Sequence, residues 1–140
     1  MAILAGLLAA GLWGCPIPYD PRIVSIETVE RSYAAGDTVV VRLVNIGDDD
    51  LTYFPCGTFL DRKELTPRVH WITMAPAAVE APCLDVLVGL AAGATDSVRY
   101  ILPADVRSGI YRYRFDDLYR DGAQLPVGDR SSHSFRVDVP

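Results

Sequence analysis

The sequence predicts an all-β sandwich of about seven to eight strands, and three observations carry the prediction. Apolar and polar residues alternate at period two along several short segments, those segments are rich in β-branched and aromatic residues, and stretches rich in Gly, Pro or Asp separate them. No segment carries the 3.6-residue apolar stripe of an amphipathic helix; Ala104 to Arg107 has room for one helical turn at most. Half of the 140 residues are hydrophobic and 22% are charged, a globular rather than a disordered balance, and the length suits one domain with its own core.

Ile23 to Ser32 reads as the first strand, with Val24 and Ile26 on one face and Ile23 and Val29 on the other. Ala34 to Asp37 is a turn. The stretch from Asp37 to Phe54 organises the rest: Val39, Val41 and Leu43 share one face, while Val40, Arg42 and Val44 share the other. Gly47 and Asp48 to Asp50 interrupt the alternation and Leu51 to Phe54 resumes it, so the expectation is an antiparallel hairpin closed by a polar turn. Pro55 to Pro67 reads as a polar loop. Val69 to Met74 alternates again, with Trp71 expected as a core anchor. Ala75 to Pro82 reads as a linker and Leu84 to Leu90 as a short apolar strand. After the turn Ala91 to Asp96, Val98, Tyr100 and Leu102 point one way. Gly109 to Phe115 sets Tyr111, Tyr113 and Phe115 against Ile110, Arg112 and Arg114. A loop with Asp121-Gly122 and Pro126 precedes a last strand, Ser134 to Val139, with Phe135, Val137 and Val139 inward.

Residues 1–14 stand apart. They hold no charged side chain, are too short to span a bilayer, and have the length of the apolar region of an export signal. The alternative is an N-terminal core strand or helix, weakened by Gly6, Gly11 and Gly14. Leu12-Trp13-Gly14-Cys15 resembles the lipobox of bacterial lipoproteins at Leu12, Gly14 and Cys15. That resemblance implies a lipid on Cys15, a stiff proline-containing tether over 15–21, one domain over 22–140, and a place at the bacterial cell envelope with a membrane anchor. With Cys15 so used, Cys56 and Cys83 remain as a disulfide pair, the alternative being two separate buried thiols.

Val44-Asn45-Ile46-Gly47 followed by acids, the central Trp71, Leu90-Ala91-Ala92-Gly93, Ser108-Gly109-Ile110-Tyr111-Arg112-Tyr113 and Ser134-Phe135-Arg136-Val137 occur in that order. Together they resemble the small immunoglobulin-like domains of bacterial envelope proteins and, more loosely, proteinase-inhibitor-like sandwich domains. The resemblance implies a Greek-key sandwich from Ile23 to Val139. Ser108 to Tyr111 is similar to a tyrosine corner, in which the phenol ties its strand to the preceding loop.

The net charge of -5 argues against nucleic acid as a partner. Ser131, Ser132 and His133 are loop neighbours without an attack geometry, and no nucleophile elbow exists, so no catalytic residues are assigned. His70 and His133 lack zinc-ligand spacing. Asp48 to Asp50 could offer oxygens to calcium but read better as a solvated turn, as do Asp116, Asp117 and Asp121. No phosphate loop or dinucleotide fingerprint calls for a cofactor. Arg112, Arg114 and, if the last strands pair, Arg136 form a ladder that could meet an acidic surface or anionic head groups; the plainer reading is a soluble sheet face with Asp138 as counter-charge. The expected function is a non-catalytic, envelope-anchored binding module. Its partner would be another envelope protein or a surface polymer, met by Pro55–Pro67 and Asp116–Ser132. A proteinase inhibitor and a ligand-free structural spacer are the alternatives.

Overall fold

The computed structural model describes residues 23–84 and 86–140. The expected signal segment 1–14, lipidation site Cys15 and tether 15–21 lie outside the described residues. The first sheet has the order β1 (Val24–Thr28), β3 (Thr38–Asn45), β9 (Thr95–Ile101), β7 (Ala78–Val79), antiparallel throughout. The second runs β2 (Ser32–Tyr33), β13 (Phe135–Val137), β10 (Gly109–Phe115), β5 (Thr58–Glu64), β6 (His70–Pro76), antiparallel except for the parallel β2–β13 pair. A small third sheet runs β12 (Ala123–Gln124), β11 (Leu118–Arg120), β4 (Leu51–Tyr53), β8 (Val88–Leu90).

Period-two burial sets the inner faces. Val39, Val41 and Leu43 of β3 are fully buried, as are Tyr111, Tyr113 and Phe115 of β10 and Tyr100 of β9, and Val98 of β9 is buried with a small exposed edge. Across the gap Tyr100 stacks on Tyr113 at 4.8 Å between ring centres, and within the second sheet's inner face Tyr113 stacks on Phe135 at 5.5 Å and Phe135 meets Tyr33 edge-on at 5.5 Å. Each such pair adds about 1 kcal/mol beyond its buried area. The two sheets therefore share one core.

The strand order is that of an immunoglobulin-like sandwich. β1-β3-β9-β7 corresponds to A-B-E-D, and β13-β10-β5-β6 to G-F-C with the added C′ strand of variable-type domains. Tyr111, near the start of β10, donates its hydroxyl to the carbonyl of Arg107 at 2.8 Å, which is the tyrosine corner expected from Ser108 to Tyr111.

Several elements differ from the sequence reading. β3 and β4 do not form a hairpin: β3 pairs with β1 and β9, and β4 pairs with β11 and β8. Buried Asn45 redirects the chain, donating its amide to the carbonyls of Asp49 and Leu90 and so tying the turn to the small sheet. The polar stretch within Pro55–Pro67 holds β5, a central strand, preceded by one 3-10 turn at Pro55–Gly57. Trp71 sits half-buried on the outer face of edge strand β6, under the guanidinium of Arg112, and the tyrosine column fills the core in its place. Ala75 to Pro82 is partly strand, in β6 and β7, whereas only Val88–Leu90 of the expected apolar strand pairs. Val139 is exposed beyond the end of β13.

Candidate functional site

The three arginines singled out in the sequence share the outer face of the second sheet, but two are engaged there. Arg112 stands opposite Asp61 of β5 and Arg114 diagonally beyond it, opposite Phe59, and each donates Nε to Asp61 Oδ2, at 3.1 and 3.0 Å. Asp61 is 1% exposed. Arg114 also bonds Asp116 and donates to Thr73 Oγ1 at 3.0 Å, and Arg130 reaches Asp116 at 3.1 Å. Burial alone would lower the Arg114 pKa; the hydrogen bond and charge of Asp61, then Asp116, outweigh it and hold the guanidinium above its ordinary value. Trp71 and Phe59 pack their rings against Arg112 and Arg114, 4.3 and 5.0 Å from the guanidinium carbons. Arg136 stands apart, 64% exposed, with Asp138 at 3.7 Å. Arg136 is therefore engaged with a residue of its own strand end, and it takes no part in the Asp61 network.

The other sequence candidates serve the fold. Ser132 accepts the Tyr113 amide at 2.9 Å and donates to the His133 carbonyl, and Ser131 donates to the Val127 carbonyl. Asp50 accepts the Ala92 amide, pinning the acidic turn to the next connection. Asp117 accepts the Tyr119 hydroxyl and lies so close to Gly57 that any Cβ there would collide with its carboxylate. Asp121 and Gly122, both with positive φ, make the two-residue turn between β11 and β12.

The sequence reading missed a different surface. The connections β3–β5, β7–β9 and β10–β13 leave the same end of the sandwich and supply β4, β8 and the β11–β12 hairpin, respectively, to the small sheet. Cys56, in the first connection, is bonded to Cys83, in the second, with a Cα separation of 5.9 Å. Beside this bridge lies a groove of about 590 Å³. Its floor is Tyr53, Val79, Val88 and Val98; its wall is Leu84 and Val86, 75% and 61% exposed. The rim is polar but internally paired, Arg99 with Glu80 and the Tyr53 hydroxyl with Asp96. The Tyr53 pKa is raised, first by burial and then by the hydrogen bond and charge of Asp96, so the phenol stays a donor. β7 and β8, on either side of the groove, are both terminal strands of their sheets. Among the described residues, seven of the twelve exposed large hydrophobic side chains fall between Leu65 and Leu87. A run of exposed Leu84, Val86 and Leu87 beside a cysteine was the available sequence signal; period-two reading assigned it to a strand.

No family model matches the chain, and no curated protein matches its sequence. Among solved structures it is similar to the ASH / PapD-like domain of human CEP192 (PapD-like domain 7), with a TM-score of 0.39 and 16% identity over 96% of each chain. It is also similar to Pseudomonas fluorescens alkylpurine DNA glycosylase AlkC bound to DNA containing an abasic site analog, with a TM-score of 0.38 and 13% identity over 83% of this chain. The match spans 30% of the AlkC chain. The immunoglobulin-like assignment stands on strand order, register and the Tyr111 corner rather than on these overlaps.

Proposed function

We propose that the chain is a non-catalytic binding module, exported and anchored at the bacterial cell envelope through a lipid on Cys15, that takes an extended apolar segment of another envelope protein. The observation that carries the reading is the groove between terminal strands β7 and β8. Terminal strands offer backbone groups to an incoming strand, and the floor of Val79, Val88 and Val98 offers apolar contact to alternate side chains of that strand. The Cys56–Cys83 bridge fixes two of the connections that shape the groove, so little ordering is left to binding. The apolar leader and the lipobox-like Leu12-Trp13-Gly14-Cys15 support the location.

The test places a photo-crosslinking side chain at Val86 of the full chain in intact cells. One protein should be captured repeatedly, and Leu84→Asp, at an exposed wall residue, should abolish the capture while Arg136→Ala leaves it. Capture of nothing, or capture indifferent to Leu84→Asp, would overturn the groove reading. Cys15→Ser should move the chain from the membrane to the soluble fraction; unchanged fractionation would overturn the anchor.

A further inference from the structure

We propose that β6 pairs with β6 of a second copy of this chain, antiparallel across a two-fold axis at Ile72. The proposal is independent of the groove. β6 ends the second sheet and pairs with β5 alone. Among the described residues none of its backbone groups bonds to anything outside that ladder. In an antiparallel ladder alternate residues turn N–H and C=O away from their neighbour, so β6 presents a free row of donors and acceptors.

The other long edge is defended and this one is not. On β1 the Ile26 carbonyl accepts the His133 amide at 3.0 Å, and Glu27 places a charge in the strand. The remaining terminal strands are two or three residues long. β6 has seven residues, and Trp71 to Ala75 carries no charge. Its protective devices lie at its C-terminal end, a bulge opposite Leu60 and Asp61 that leaves Met74 as the extra residue and Pro76 without an N–H, so His70 to Thr73 is the regular, open part.

What selects a second copy is self-complementarity. A two-fold at Ile72 sets Ile72 against Ile72 and Trp71 against Thr73 of the other copy, all within the regular part of the strand. No like charges face each other, and the β-branched and aromatic pairs are of the favourable kind. Ile72 is 40% exposed and is covered by this pairing. Direct opposition at one residue is what the symmetry requires, since a two-fold must map each cross-strand pair onto its own kind. A single strand pair buries less than a standard interface, so the dimer is weak and suited to chains concentrated at a surface.

Ile72→Cys in the full chain should form an inter-copy disulfide under mild oxidation, because directly opposed residues lie within bridging distance. Thr73→Cys, facing Trp71 of the other copy, and Val127→Cys, on a distant loop, should form at least tenfold less. Sedimentation at about 100 µM chain, where a Kd of that order half-populates a dimer, should show association that Ile72→Lys weakens at least tenfold and Leu84→Lys leaves unchanged. A monomer throughout, equal bridging by all three cysteines, or association lost with Leu84→Lys instead would overturn the proposal. Ile72 is partly exposed, so neither variant removes core packing.

Discussion

Asp61→Ala is the substitution that most directly probes why β5 can be a central strand despite its polar sequence. The carboxylate is 1% exposed and accepts Nε of Arg112 at 3.1 Å and of Arg114 at 3.0 Å. Removing it leaves two guanidinium groups, 14% and 17% exposed, without their shared acceptor. Stripping one partner from a buried ion pair costs about 3–5 kcal/mol. Here Arg114 keeps Asp116 and Thr73, and both arginines keep a path to water, so the expectation falls at the low end, about 3 kcal/mol. Urea unfolding followed by far-UV circular dichroism should show a lower midpoint with an unchanged slope. Asp61→Asn, which keeps the shape but not the charge, should lose about half as much. The triple variant Asp61→Leu, Arg112→Met, Arg114→Met should recover most of the loss, because an apolar replacement of a whole buried network is often neutral. A loss under about 1 kcal/mol for Asp61→Ala would refute the reasoning, since that is the worth of a solvated surface pair.

Alkaline pH tests the aromatic column. Tyr53, Tyr100 and Tyr113 each have a pKa raised above the ordinary 10.0, in every case first by burial; the charge of Asp96 adds at Tyr53 and that of Tyr100 at Tyr113, while a hydrogen bond with Thr58 opposes at Tyr100. The unfolded chain therefore loses these protons first. Stability is full below about pH 10 and falls as pH rises toward the raised values, by up to roughly 4 kcal/mol per pH unit for three phenols. The urea midpoint should drop steeply above that pH and less steeply in Tyr100→Phe; a flat midpoint would contradict the burial of these hydroxyls. For the Cys56–Cys83 bridge, with a sequence separation of 27, the chain-entropy model gives about 3.5 kcal/mol. Cys56→Ser with Cys83→Ser should lower the unfolding free energy by that order in the absence of reductant, and an unchanged value would show the bridge to be idle.

Inner faces were legible in the sequence because water alone decides them. A residue facing the core has one requirement, and Val39, Val41, Leu43, Tyr111, Tyr113 and Phe115 meet it at period two. Strand partners were not legible. Whether β4 returns beside β3 or crosses to another sheet depends on one amide, that of Asn45, reaching the carbonyl of Leu90 forty-five residues away. β5 was missed for a related reason. Thr58, Leu60 and Arg62 against Phe59, Asp61 and Lys63 do not read as apolar alternation; Asp61 becomes a buried residue only once Arg112 and Arg114 stand beside it. Trp71 misled in the opposite sense, because an indole on an edge strand can be covered from outside by Arg112 as well as from inside by a core.

Two of the chain's crossings between sheets also explain why the candidate surfaces fall where they do. At Asn45 to Leu51 the crossing is clamped by the Asn45 and Asp50 hydrogen bonds, and Asp48 to Asp50 keep it polar apart from exposed Ile46. At Pro76 to Ala78 the chain passes from the edge of the second sheet to the edge of the first, so β6 and β7 both face outward from one side of the sandwich. A side closed by a single short passage leaves two strand edges open, and the chain places Val69, Ile72, Met74, Leu84 and Val86 along it, while the opposite side carries Glu27, Glu30 and Arg31 with Val29 as its exposed apolar residue. Keeping apolar side chains on open edges is a liability for a solitary domain and an advantage for one that binds there. The asymmetry has a direct consequence. Replacing Ile72, Met74, Leu84 and Val86 together by Lys or Glu should leave the unfolding free energy within about 1 kcal/mol, because surface changes away from core features rarely exceed that, while abolishing both self-association and partner capture.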